Sequence, residues 1–404
     1  MKTITKISLI VALIFLAITV FPVFANSEPV SPPPQNSEVQ EQTNKLLREY
    51  QRALAYELQH GETTTIKDPR KGYVKILTGA SAAKLQALWR ETQRRIDALT
   101  ARPSRDREKA IHLIQTLDSG TIRYLYHSKM PYYDAKAEVE VYKSDRFQYT
   151  VDIGTGQIIE IAPLHQMRQY SLEPAYSRTE LEEKAREFIA KVAKVNLDAL
   201  TPAFGDKEGK TFFFRWEASD QKLSSGMAPF IQVGFSRGGE FLNYVNTLPF
   251  VQKLPSTKSS VQSSYGFSEI YANGGAYWYQ TGSMTTVNNA GYCYFAGWCS
   301  PKNFFYAHGA YPYNAVGRWY PNPNSNVKAA AFIPGTHATN YAEYYVYSTG
   351  YYNWWYINQS IWYNTWVTIT QEGPVSDIWD IKLTNQSGTT SPQTAWDEVW
   401  VYNP

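Results

Sequence analysis

Cysteine is nearly absent: the 404 residues hold two, Cys293 and Cys299, close together in GYCYFAGWCS. Two thiols cannot staple a chain of this length throughout, and a structural zinc site there would lack its other two ligands. In an oxidising compartment the pair reads as a disulfide closing a small loop. Histidine is scarce as well. The six are scattered, and none stands with a second histidine and a glutamate at the spacing of a zinc motif. No metal and no cofactor is therefore expected. Neither sign of charge dominates: 39 Lys and Arg against 36 Asp and Glu leave a formal +3, which carries no nucleic-acid signature. Beyond residue 25 no run is apolar enough to span a bilayer.

The one long apolar stretch is residues 7–24, preceded by Lys2 and Lys6 and followed by Val23-Phe24-Ala25 before Asn26. This is the pattern of an export signal, residues 1–25, cut before Asn26. An uncut membrane anchor is the alternative, although the stretch is near the lower length limit and Pro22 interrupts it. Secretion, or residence in the cell envelope, follows from the signal. Residues 26–36 (NSEPVSPPPQN) form a proline-rich tether with nothing to bury.

From residue 37 the pattern is helical to about 103. Leu46, Leu47, Tyr50, Leu54 and Leu58 make one stripe, and Leu85, Leu88, Trp89, Ile96 and Leu99 make another behind a Ser81 cap. Two helix-then-strands blocks follow, 104–170 and 171–253. In the first, a helix at 106–117 leads to alternating strands at 121–126, 137–142, 146–152 and 157–161. In the second, a helix at 179–195 leads to strands at 211–217, 229–235 and 240–246. Phe147, Tyr149 and Val151 before Thr155-Gly156 correspond to Phe230, Gln232 and Gly234 before Gly238-Gly239, so each block places a hairpin at its glycines. With its helix and its Val151-Asp152 to Gly156 turn, the unit resembles the PepSY-like domains of exported bacterial proteins. That resemblance implies a helix packed on a small antiparallel sheet, and a regulator of an exported peptidase as one role.

Residues 254–264 (LPSTKSSVQSS) form a polar linker, and the composition then changes. Ten of the twelve tryptophans follow Tyr265, and charged residues thin out. Short strands at about ten-residue spacing with turn chemistry between them suit an all-β sandwich over 265–404. Its centre is AAAFIPGTHATNYAEYYVY, residues 329–347, a strand stopped by Pro334-Gly335, a polar turn and a second strand. The succession Trp319, Ala331-Phe332-Ile333-Pro334, His337-Ala338, Tyr344, Asn358-Gln359, Trp366-Val367, Ile381-Lys382-Leu383 and Trp396-Asp397-Glu398-Val399 resembles the golvesin C-terminal domain. That module also occurs on xanthan lyases. Over residues 304–403 the resemblance implies a galactose-binding-like jelly roll and a binding role, with no ligand specified. The expected fold class is thus multidomain: an α+β amino-terminal half followed by an all-β jelly-roll sandwich.

Catalytic signatures fail on context. Gly234-Phe235-Ser236-Arg237-Gly238 fits the nucleophile-elbow pattern, with Glu240 or Glu269 and His308 or His337 behind it, yet residues 240–246 alternate as a strand where the elbow needs a helix. Residues 205–211 resemble a phosphate loop one residue short, and run into Phe212-Phe213-Phe214, a strand. Asp397 and Glu398 are adjacent on a strand and point to opposite faces. A hydrolase using Ser236, or a carboxylate pair from distant acids, stays as an alternative.

The segment Tyr351-Tyr352-Asn353-Trp354-Trp355-Tyr356, with Trp362 beyond it, has two readings: core packing, or a ring platform for a sugar face or a protein partner. Alternation turns either Trp354 or Trp355 outward. The candidate ligand residues are Trp354, Trp355, Trp362, Tyr351, Tyr352, Asn358, Gln359 and His337, the last from the turn the golvesin resemblance picks out. The expected function is an exported, non-catalytic protein that binds extracellular or cell-wall polysaccharide. Regulation of an exported peptidase is the alternative partner relation.

Overall fold

Ser177 opens a helix by accepting the Glu180 amide, while the Glu180 side chain returns a bond to the Ser177 amide. This capping box starts the helix where the apolar stripe begins. Leu181, Ala185, Ile189 and Val192 then lie buried along one face. The computed structural model describes residues 35–100, 104–130, 137–164, 170–221, 223, 227–250, 268–292, 303–321, 326–348, 351–371 and 373–403. Residues 1–25, most of the tether, the linker 254–264 and both cysteines lie outside them.

The chain divides into two units between Gln42 and Thr43, and of the first only the start of helix α1 (Gln35–His60) is described. In the second unit α1 is followed by a hairpin, β1 (Thr63–Asp68) and β2 (Gly72–Leu77), and by α2 (Gly79–Thr100). Tyr50, Leu77, Leu85 and Trp89 pack these pieces together. The region 37–103 is therefore not helical throughout. The β-branched run Thr63 to Ile66 and the Asp68-Pro69 turn are strand and turn signals that break it.

Helix α3 (Ser104–Gln115) leads into β3 (Arg123–Lys129), β4 (Glu138–Lys143), β5 (Phe147–Asp152) and β6 (Ile158–Pro163). The capped helix, α4 (Arg178–Val192), leads into β7 (Thr201–Pro202), β8 (Gly205–Lys207), β9 (Thr211–Glu217), β10 (Phe230–Ser236) and β11 (Phe241–Asn246). Each block turns between its last two strands at a glycine of positive φ, Gly156 at 69° and Gly239 at 83°, a conformation side chains disfavour. The two blocks do not form separate sheets. β6 pairs antiparallel with β11, giving one nine-stranded sheet in the order β3-β4-β5-β6-β11-β10-β9-β7, with β8 also on β9. Both helices cover one face of it, over Tyr149, Ile231, Val233 and Phe235.

The remaining strands are β12 (Ser268–Tyr271), β13 (Trp278–Thr281), β14 (Thr285–Asn288), β15 (Asn303–His308), β16 (Val316–Trp319) and β17 (Lys328–Ile333). They continue with β18 (Tyr341–Ser348), β19 (Tyr351–Asn358), β20 (Thr365–Thr368), β21 (Asp380–Thr384), β22 (Gln393–Trp396) and β23 (Val399–Tyr402). They form three antiparallel sheets: β12-β23-β17-β20, β13-β16-β21-β18-β19 and β14-β15-β22. Trp319, Trp362, Trp366, Trp396 and Tyr344 are fully buried in this half. Every residue of β17 is buried; with Ala329, Ala330 and Ala331 the strand is thin enough to be covered on both faces.

The second face of the nine-stranded sheet shares a hydrophobic core with this β half. Polar bonds concentrate on the turn at 359–364. Lys207 Nζ donates to the Gln359 carbonyl (2.6 Å) and to Ala338 (2.9 Å), Thr211 Oγ1 to Ser360 (3.0 Å) and Arg215 Nη1 to Asn364 (2.9 Å). Burial holds the Lys207 ammonium well below its ordinary pKa. Among the described residues no helix is long and apolar enough to cross a membrane.

Candidate functional site

Strands β18 and β19 are the edge hairpin of the five-stranded sheet, and their alternation decides which rings reach solvent. Along β18, half-buried and buried positions alternate from Tyr341 to Val346, because successive side chains point to opposite faces. On β19 the outward residues are Tyr352, Trp354 and Tyr356, which are 37%, 52% and 41% exposed. Their partners across the hairpin are Tyr347, Tyr345 and Glu343. Tyr341 stacks on Tyr356 at 5.0 Å between centroids, and Tyr352 stands 5.9 Å from Trp354 and 5.5 Å from Tyr347. Glu343 accepts both the Tyr345 hydroxyl (2.5 Å) and the Tyr356 hydroxyl (3.1 Å), fixing two of the rings. The result is a stripe of rings along one sheet edge.

At one end, Tyr341 borders a polar cavity of about 440 Å³ that is also lined by Tyr170, Lys210, Asn340, Ser360 and Thr389. Across the sheet, the row of Trp354 and Tyr345 continues through Lys382 and Arg318 to Tyr279. Arg318 Nη1 donates to Asp380 (2.5 Å) and to Asp68 (3.1 Å). Burial pushes Asp380 up to about 7 against the opposing pull of Arg318, and burial with Arg318 lowers Lys382 to about 8.

Asp68 belongs to the tip of the β1–β2 hairpin, which covers this part of the face. Its other oxygen accepts the Arg70 and Lys71 amides. Arg70 donates to the carbonyls of Ala276 and Trp278, and Lys71 lies 4.8 Å over the Trp379 ring. The outer face thus has an open aromatic half and a half closed by the hairpin.

Of the residues singled out by sequence, Trp354 and Tyr352 come together on this face. Trp355 turns the other way and packs, partly buried, against the core. The backbone of Tyr351 pairs with Ser348, and its side chain is outside the described set. Three expectations are corrected. Trp362 is fully buried, because the short turn that carries it plugs the junction with the nine-stranded sheet. Gln359 is fully buried too, with its amide bonded to the Tyr344 hydroxyl and to both backbone groups of Ala395. Asn358 borders the cavity, yet is 3% exposed and its oxygen is held by the Ser360 amide and hydroxyl. His337 lies away from the stripe, at φ 54°, stacked 4.1 Å from Tyr306 and bonded to Gln393 Oε1 at 3.0 Å. Its role there is to hold the turn. Cys293 and Cys299 fall outside the described residues.

Sequence reasoning did not pick Lys382, Arg318, Asp380 or Tyr345 as site residues. The available signal was a charge at every second position of an otherwise apolar strand, Asp380-Ile381-Lys382-Leu383. Ser236 is fully buried, its Oγ accepting the Glu240 amide in the β10–β11 hairpin. Among the described residues no three His, Cys, Asp or Glu side chains gather as a metal site.

No protein-family model matches the chain, and no curated protein matches it. Solved structures similar to it include a Paenibacillus xanthan lyase, at 13% identity and TM-score 0.29, over 67% of this chain and 35% of that one. The chain thus spans about a third of that enzyme's length. The YpeB C-terminal domain of Bacillus megaterium is similar at 10% identity and TM-score 0.26, over 55% of this chain and 92% of that one. An exo-β-1,3-galactanase of Phanerochaete chrysosporium solved with galactose is similar at 12% identity and TM-score 0.25, over 71% and 80%. Scores this low leave the functional reading to the chain's own geometry.

Proposed function

We propose that this is an exported, non-catalytic binding protein whose carboxyl-terminal sandwich holds polysaccharide on the outer face of β18 and β19. The observation that carries it is the exposed row Tyr352, Trp354 and Tyr356 on one strand. Aromatic faces with polar rims suit ligands that are themselves apolar on one face and hydroxylated at the edge. The polar cavity next to Tyr341 extends the same path. In the golvesin-like, jelly-roll reading, the order β12-β23-β17-β20 against β16-β21-β18-β19 supports the assignment, since first and last strands pair and the two sheets interleave. Titration of the full chain with soluble glycans should give a saturable tryptophan fluorescence change. Trp354→Ala should abolish it and leave the fold intact. Saturable binding that survives both Trp354→Ala and Tyr352→Ala would sink the proposal.

A second reading, a PepSY-type regulator of an exported peptidase, has one observation of its own. A groove of about 270 Å³ beside α4 is lined by Phe147, Phe188 and Phe241, with Arg146, Lys184 and Lys191 against Asp118 and Glu187, an apolar floor with a charged rim suited to an amphipathic peptide segment. Inhibition of a co-exported peptidase that is relieved by Phe188→Ala would favour it; no inhibition of any such peptidase removes it.

A further inference from the structure

Among the described residues Lys382 is a cation of the outer sheet face with no carboxylate in direct contact, although Asp380 and Glu343 lie near enough to act on it. Arg318 beside it is bonded by two carboxylates, Asp380 and Asp68. Lys382 is only 9% exposed, yet among the described residues no acceptor bonds its Nζ. What surrounds it is aromatic: Nζ stands 3.8 Å from the Tyr345 ring centroid, 5.8 Å from Tyr313 and 5.9 Å from Tyr347. Ring faces attract a cation but accept no strong hydrogen bond from it, so three N–H donors are left for an incoming group. Tyr313 is 42% exposed, which keeps this wall at the surface. Of the two carboxylates that act on it, Glu343 accepts two tyrosine hydroxyls and Asp380 accepts Arg318 through Oδ2, while Asp380 Oδ1 is buried without a partner among the described residues.

Lys382 shares its cross-strand row with Tyr345 and Trp354. Two strand spacings, about 10 Å, separate it from Trp354, so one extended ligand can reach both. We propose that the Lys382 ammonium, walled by Tyr313, Tyr345 and Tyr347, is a subsite for a sugar carboxylate, and that the ligand of the aromatic face is a uronic-acid-containing glycan. A neutral sugar would offer the ammonium only hydroxyl oxygens, whereas a carboxylate gives the shorter, charge-assisted bond. With its pKa near 8, the group stays mostly protonated at neutral pH. This inference rests on the glycan-binding reading and adds the chemical class.

The test is affinity electrophoresis of the full chain in gels containing polygalacturonate or hyaluronan, each beside its carboxyl-reduced, neutral counterpart. Retardation should be about tenfold stronger with the carboxylated polymers, and rising salt should erode the difference. Lys382→Met and Lys382→Gln should each remove the preference while keeping the residual retardation by neutral polymer that Trp354→Ala loses. Using two variants guards against one failing to fold. Equal retardation by carboxylated and reduced polymers, or a preference that persists in both Lys382 variants, overturns the inference alone. Retardation by none of the four polymers overturns it together with the glycan-binding reading.

Discussion

Tyr344 and Tyr345 are neighbours on β18 and meet different surroundings. Tyr344 is 1% exposed, its hydroxyl accepting from the Gln359 amide in the core. Tyr345 faces outward, with its hydroxyl on Glu343 and its ring beneath Lys382. The contrast extends across the whole five-stranded sheet. The inner face, with Trp319, Tyr344, Ile381 and Leu383, belongs to the hydrophobic core, while the outer face holds rings and charges in rows. The same residue types thus build the core on one face and the proposed recognition surface on the other. The two-residue period of the strand, more than composition, assigns each ring its work.

The strongest way to break this contrast is to truncate an inner ring. Trp319→Ala should cost about 3–5 kcal/mol, seen as a fall in the urea midpoint, because Trp319 is buried against Trp278 at 4.9 Å. A loss no larger than that of an outer-face variant would refute the assignment of the two faces.

A second test compares lysines. Lys328 on β17 is buried between the halves, bonded to the Tyr126 hydroxyl at 3.0 Å and near Glu160 and Asp97. Burial depresses it from 10.5 to about 7. Between those values the unfolded chain holds a proton that the native chain lacks, so stability rises with pH across that window, and below 7 the destabilisation is fully present. Lys328→Met should stabilise the protein at pH 6 by on the order of 3 kcal/mol and flatten the rise between pH 7 and 10. Thermal melts across that range decide, and an unchanged slope would show that another group titrates.

Within the outer face, Asp68→Asn probes the half closed by the hairpin. Losing the charged bond to Arg318 should cost about 1–3 kcal/mol and speed proteolysis near Arg70 and Lys71. The smallest effect on stability is expected for Trp354→Ala, under about 0.5 kcal/mol, although it should have the largest effect on glycan binding.

Much of the architecture was legible because it is local. The stripes in 81–99, 106–117 and 179–195 became α2, α3 and α4 within a few residues, and strand β9 took the expected span 211–217. The repeat was legible through its two glycine turns. What periodicity could not show was pairing between distant segments. Nothing in Ile161 or Tyr244 announces that they are neighbours across the seam joining the two blocks. The same limit affected the site. Trp354 could be placed on one face or the other of a strand, but Trp362 and Gln359 looked available until the fold showed both buried, the Gln359 amide among Tyr344 and Ala395 inside the sandwich. Lys382 acquires its meaning from Tyr313, a residue that sequence reasoning left unremarked.

Strand β23 lies between β12 and β17, with Tyr402 facing both Ser268 and Lys328. Of these three strands it is the last to leave the ribosome, and it occupies an inner position of its sheet. The sheet therefore cannot be completed before β23 has been made: β12 waits some 130 residues for the neighbour that joins it to β17. Closing this half of the molecule is a late event, one that needs the whole sandwich to have been made. A chain released without Val399 to Tyr402 would lose more than a frayed edge, because its sheet would be split between β12 and β17.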